Sequence, residues 1–202
     1  VLTMATGRSG ELPAGRTILA GVAVGQLCGA ADSVMIMVFG ESNAARSALS
    51  WTLGSFAGLR WGSTITLVVA TVPALIFGIA LCHVLDAFAF GDVSAMSLGV
   101  PVNTVRWAIM VSTALLTALS VAFAGPIGFV GLTVPHIVRF WTGPRHARLL
   151  PASALAGALL MVWSDTAARC LRPDTEIPVG VITAIVGAPV LVLLLRRQAS
   201  KS

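Results

Sequence analysis

The fold class this sequence predicts is an all-α, polytopic membrane protein with about six transmembrane helices. Three observations carry that expectation. The 202 residues are 56% hydrophobic and 10% charged, with mean hydropathy +0.92, whereas soluble domains carry roughly 25% charged residues. Apolar runs of membrane-crossing length recur along the chain, and most basic residues lie between them. One apolar stretch, Ala124 to Arg148, holds Gly125, Pro126, Gly128, Gly131 and Pro135, a density that breaks a helix. Irregular backbone at membrane depth is tolerated only where protein or a water-filled cavity satisfies it. The stretch therefore marks a pathway or a tight helix contact.

Val1 to Met4 precedes a polar loop without a signal-peptide pattern, so the chain reads as though it starts at the end of an earlier helix. The first span is expected at Thr17 to Phe39. Gly21, Gly25 and Gly29 recur there at four-residue spacing, on one face, where they allow a neighbouring backbone to approach closely. Gln26 and Asp32 lie in the same span; Asp32 is either a functional carboxylate or a solvated group at the outer interface. The connection from Gly40 to Gly62 carries Trp51 and Trp61, which suit a membrane interface. Ala44 to Leu53 is expected to form a short helix capped by Ser42 or Asn43, acting either as a gate or as a surface anchor.

Ser63 to Leu85 reads as the second span, kinked at Pro73. Leu85 to Pro101 breaks at Gly91 and at Gly99, and is expected to hold two short helices, one capped by Asp92 or Ser94. Such a platform suits docking of a soluble partner. The run between Arg106 and Arg139 contains no acidic or basic residue. It is too long for one crossing of about 20 residues and too short for two with a loop. The Gly-Pro break divides it into a full helix, Val105 to Phe123, and a short one, Ile127 to Phe140. Leu149 to Arg169 follows, with Asp165 and Arg169 at a spacing that favours an ion pair, and then Ile177 to Leu195.

Alternating these spans gathers Arg8, Arg16, Arg106, Arg139, Arg145, Arg148, Arg196, Arg197 and Lys201 on one side, against Arg46, Arg60, Arg169 and Arg172 on the other. The richer side is expected to be cytoplasmic, with the 85–101 platform and the C-terminus. The Trp51 segment and the Leu171 to Glu176 loop then face outward. This distribution accounts for the net charge of +5 without nucleic acid as a partner. Cys28, Cys82 and Cys170 have neither metal nor disulfide spacing and read as small core residues. His83, His136 and His146 fall in separate loops or helix ends, and no hydrolase, metalloprotease or phosphate-loop motif is present. His136 reads as structural or interfacial. No catalytic residue, metal or cofactor is expected, so energy must come from a partner or an ion gradient.

Six ordered blocks resemble one family. GPIGFVGLTVPHIVRFWTGPRHARLLPASALAGALL, Gly125 to Leu160, is similar to the hallmark of FecCD-type permeases of bacterial ABC importers for iron–siderophore complexes, haem and vitamin B12. SDTAAR (Ser164 to Arg169) and EIPVGVITAIVGAP (Glu176 to Pro189) continue it. ILAGVAVG, WTLGSFAGLRW and FGDVSAMSLGVP precede it in family order. The family implies a ten-helix permease that pairs with a second permease, as a homodimer or heterodimer, and with two cytoplasmic ATPase subunits. It also implies a periplasmic or lipid-anchored substrate-binding protein, in the bacterial cytoplasmic membrane. Residues 1–202 resemble its last six helices as one permease domain, so the chain reads as a fragment without the first four; a truncated, inactive product is a further reading.

With the resemblance, Phe90, Gly91, Asp92, Ala95, Leu98 and Gly99 are candidates for ATPase coupling. Gly21, Gly25, Gly29, Trp51, Gly54 and Ser55 are candidates for the translocation path and gate, and Arg169 and Arg172 for docking of the binding protein. Gly125, Pro126, Gly128, Gly131, Pro135, His136, Asp165, Glu176, Pro178 and Gly180 belong to the structural motif. The chain departs from the family at Val93, where an acidic pair is usual, and at Met96, where arginine is frequent. Iron–siderophore is the expected cargo, with vitamin B12 or haem as alternatives. A different class, an ion-coupled secondary transporter using Asp32 or Asp165, has no use for the platform.

Overall fold

The computed structural model describes residues 14–40, 48, 50–97, 99–171 and 177–199, and every regular element among them is a helix. In chain order these are α1 (Ala14–Phe39), α2 (Trp61–Ala80), α3 (Cys82–Phe88), α4 (Asp92–Ser97), α5 (Val102–Ala124), α6 (Val130–Thr142), α7 (His146–Leu171) and α8 (Val179–Ala199). Four are long and apolar enough to cross a membrane: α1 over Leu19–Phe39, α2, α5 and α7. α8 carries a shorter apolar stretch, Val179–Leu194, and α6, at 13 residues, is the short helix after the break. The all-α, multi-pass architecture read from the sequence is the one observed.

The chain falls into two compact units, Val1–Leu49 and Ser50–Ser202. In the first, α1 is unbroken, and Ser33 returns its hydroxyl to the Gly29 carbonyl at 2.8 Å. Within that unit nothing described comes within 4 Å of where a Cβ would sit on Gly21, Gly25 or Gly29. In the second unit α7 is the hub, packing on α2, α3, α6 and α8, while α5 packs on α2 and α4. The core lies between α6 and α7, where Val134, Val138 and Leu149 are buried against Val130, Ala152, Ala156 and Leu160. Alanines four apart on α7 present a flat strip to the α6 valines, the close packing that joins helices where lipid removes the hydrophobic drive. Val68, Val69, Ile76, Leu155, Leu159 and Val162 point outward and exposed. A face this apolar is unsuited to water and suited to lipid.

Several boundaries differ from the sequence reading, each for a local reason. The second span, expected as Ser63 to Leu85, ends at Ala80; Leu81 leaves helical geometry (φ −88°, ψ 4°) and α3 starts afresh, taking Leu85 with it. Pro73, where a kink is expected, lies inside α2, with helix on both sides of it. The short helix expected from Ile127 starts at Val130, because Phe129 takes a left-handed backbone, φ 68°. Neither Asp92 nor Ser94 precedes α4 as a cap: Asp92 is its first residue, and its carboxylate is taken by Arg106. Of the short helix expected at Ala44 to Leu53, Ala48 and Ser50 to Thr52 are helical. Ser42, Asn43, Ala44 to Ser47 and Leu49 lie outside the described residues, as do Leu98, Arg172 and Glu176.

Candidate functional site

Helix ends leave backbone groups without partners: the last C=O groups and the first N–H groups. In the second unit one dipeptide supplies two of the missing partners. The Ser55 N–H donates to the carbonyl of Ala124, the last residue of α5, at 2.8 Å. The Gly54 carbonyl accepts from the N–H of Gly180, in the first turn of α8, at 3.2 Å. Gly54 itself closes a turn onto the Trp51 carbonyl at 3.0 Å. The broken segment after α5, the end of the Trp51 helix and the start of α8 thus meet through main chain alone.

That meeting leaves no space for side chains. A Cβ on Gly54 would come within 2.9 Å of the Pro126 carbonyl oxygen and 2.8 Å of Ile127 Cγ1. A Cβ on Gly125 would collide with the Trp51 carbonyl oxygen, and one on Gly180 with that of Leu53. Gly54 and Gly125 also hold φ of 73° and 72°, the left-handed region open to glycine. Phe129 holds the same region without being glycine, and its Cβ fills the notch left by Gly187. Its carbonyl accepts from both the N–H and the hydroxyl of buried Thr133, at 2.8 and 2.9 Å, which fixes the strained residue from the next turn. Gly128 and Gly131 show open space beyond their Cα atoms, so this joint does not depend on them. Pro135 lies within α6, and exposed His136 turns its Nδ1 to the Leu132 carbonyl at 3.1 Å.

α3 and α4 form the platform. Gly91 and Gly99, with φ of 95° and 77°, bound α4; Ala95 is fully buried and Phe90 is 80% exposed. Each helix is tied to a spanning helix. Arg106 Nη2, on α5, donates to both oxygens of Asp92, at 2.8 and 2.9 Å. Asp86 Oδ1, on α3, accepts the backbone N–H of His146 at 3.0 Å and faces His146 Nδ1 at 2.6 Å. A carboxylate oxygen this close requires the proton on Nδ1. The His146 N–H first, and its imidazole second, hold Asp86 below the ordinary aspartate range, with His83 adding a smaller attraction. Asp86 and His146 escape sequence reasoning because N-caps are sought next to the helix. The available signal is negative: Gly143, Pro144 and Arg145, which precede α7, offer no side-chain acceptor.

At the other end of α7, Arg169 Nε donates to Asp165 Oδ2 at 2.8 Å, the pairing expected from their spacing. Between α2 and α5 lies an apolar groove of about 520 Å³, lined by Pro73, Phe77, Val111, Leu115 and Leu119 among others. Among the described residues no three His, Cys, Asp or Glu side chains gather as metal ligands.

Apolar helices with exposed apolar faces, two short helices tied to them and a main-chain joint define a polytopic helical membrane protein. Within that class the chain belongs to the FecCD transport family, whose profile matches residues 1–197. It is 39% identical over 198 residues to the vitamin B12 import system permease protein BtuC of Vibrio cholerae, covering 98% of this chain and 59% of that one. It is 46% identical over 153 residues to the Fe(3+) dicitrate transport system permease protein FecD of Escherichia coli, covering 75% and 48%. A solved structure of a metal-chelate type ABC transporter in an inward-facing conformation superposes with TM-score 0.84 at 32% identity, over 90% of this chain and 59% of that one. The chain therefore spans less than two thirds of the length of these relatives.

Proposed function

We propose that this chain is part of the permease subunit of a bacterial ABC importer in the cytoplasmic membrane, where it passes a metal chelate inward. ATP hydrolysis belongs to partner ATPase subunits, and a second permease and a substrate-binding protein complete the assembly. The observation that carries the reading is α5. One end is tied to the platform by Arg106 and Asp92, and the other closes the glycine joint through Ala124 and Ser55. A helix joining a polar platform to a main-chain joint is what an externally driven gate needs, and a gradient-driven carrier has no use for the platform. Gly21, Gly25 and Gly29 of α1 then offer a packing face to the second permease, and the platform and C-terminus face the cytoplasm.

An iron–siderophore complex is the preferred cargo. The FecD relative supports iron and the BtuC relative, matched over more of this chain, supports vitamin B12 as the alternative; haem is a further alternative. The test is uptake into proteoliposomes holding the permease with its ATPase subunits and binding protein, offered radiolabelled ferric siderophore and radiolabelled cobalamin in parallel. ATP-dependent accumulation of the ferric complex is expected. Accumulation of cobalamin alone reassigns the cargo. Uptake that persists without ATP and stops when ion gradients are collapsed overturns the importer reading.

A further inference from the structure

The two platform ties lead to different destinations. α4 is held through Asp92 to Arg106, in the second turn of α5, and α5 ends in the glycine joint at Ala124. α3 is held through Asp86 to His146, the first residue of α7, and α7 carries Asp165 and Arg169 near its other end. At 1.5 Å per residue the two helices extend about 27 Å from Arg106 to Ala124 and about 35 Å from His146 to Arg169.

We propose that Asp86 and Asp92 are positioning residues of the coupling step, which split one displacement of the platform into two outputs. Asp92 drives the glycine joint through α5, and Asp86 drives the Asp165–Arg169 end through α7. The proposal rests on the permease reading above and adds to it which residues transmit, and to where.

Three features support it. The Asp92–Arg106 pair is too open to act mainly as a stabiliser: the side chains are 51% and 31% exposed, and ion pairs in that setting add little to stability. Its effect is on orientation. Each carboxylate also meets two donor contacts from one partner residue, both Asp92 oxygens on Arg106 Nη2 and Asp86 Oδ1 on two nitrogens of His146. Paired contacts of this kind constrain direction as well as distance. Finally, each tie runs parallel to packing between the same two helices, α3 on α7 and α4 on α5, so each pair of elements moves together. α4 lies between left-handed Gly91 and Gly99, and nothing described lies within 4 Å of where a Cβ would sit on either.

The test uses the assembled transporter in proteoliposomes, with Cys28, Cys82 and Cys170 replaced and a single reporter, Ser55→Cys. Two readouts are taken: the ATP-dependent change in labelling at position 55, and stimulation of ATP hydrolysis by the binding protein. Asp92→Asn should shrink the labelling change about fivefold, the shift one exposed ion pair can carry, and leave stimulation intact. The reversed pair Asp92→Arg with Arg106→Asp should restore the change, which a merely destabilised protein would not show. Asp86→Asn should do the opposite, weakening stimulation and sparing the label. Asp92→Asn or Asp86→Asn losing both responses together, or keeping both, overturns the proposal, as does a reversed pair that restores nothing. A parent protein showing neither response removes the permease reading itself, an outcome distinct from a parent that responds while its variants do not discriminate.

Discussion

His146 opens α7, and the group that caps it is Asp86, 60 residues earlier in the chain. The carboxylate sits at the positive end of a helix dipole, on a backbone N–H that no neighbouring residue satisfies. Because folding lowers the pKa of Asp86, the tie contributes fully above the ordinary aspartate value of about 3.9 and is lost as pH falls through the still lower folded value. Thermal unfolding in detergent should therefore separate the parent from Asp86→Asn at neutral pH, with the parent higher. The gap should narrow once the pH drops below about 4. His83, His146 and the thiol of Cys82 are titratable groups facing Asp86, so the comparison is repeated in His83→Gln, where the narrowing should persist. A gap that widens on acidification contradicts the assignment.

The joint makes a steric prediction. Gly54→Ala and Gly125→Ala each place a Cβ in the left-handed region, which costs about 1–3 kcal/mol, and the collisions with Pro126 and Trp51 carbonyls add to that. Gly180→Ala meets the Leu53 carbonyl within a helix and should be damaging for the collision alone. Gly128→Ala and Gly131→Ala, which face open space, should stay within about 0.5 kcal/mol of the parent. Melting temperatures of the five variants decide between a joint specified by three glycines and a merely glycine-rich segment.

At the platform, Gly91→Trp forces a bulky residue into φ 95° at the start of α4. ATP hydrolysis should continue while transport falls, by an order of magnitude or more if α4 transmits closure of the ATPase. Parallel measurement of hydrolysis and uptake checks it, and unchanged uptake sinks the coupling assignment of Phe90, Gly91, Ala95, Leu98 and Gly99.

Arg169 is 64% exposed beside Asp165. In the importer reading it meets a carboxylate of the binding protein, where its planar fork suits two-point contact. Arg169→Glu should slow association with the binding protein about tenfold at low ionic strength and less in high salt. A matching reversal on the binding protein should restore the rate. Loss of stability with unchanged association would make Arg169 a structural residue rather than a docking one.

The spans were legible because length and hydropathy act locally, and the break at Gly125 was legible because glycine and proline there oppose a helix. The start of α6 was not: it depends on Phe129 adopting a backbone that bulky residues avoid, stabilised by Thr133 and by the space at Gly187. The cap offered at Asp92 or Ser94 does not form, and the partner that takes the Asp92 carboxylate, Arg106, lies 14 residues on. Gly54, Gly125 and Gly180 were each singled out in sequence, but their convergence was invisible, since it is made by carbonyl oxygens that every residue possesses.

Gly54, Gly125 and Gly180 are defined by an atom they lack, and every missense change in a glycine codon adds it. These positions accordingly have no conservative neighbour: the mildest mutation, to alanine, already meets a carbonyl oxygen. Elsewhere in the lipid-facing helices Leu, Ile and Val interchange at small cost. Genetic drift can therefore resurface α2, α7 and α8 freely, while tolerated change at the joint has to begin with a second substitution or a backbone shift on the opposing segment.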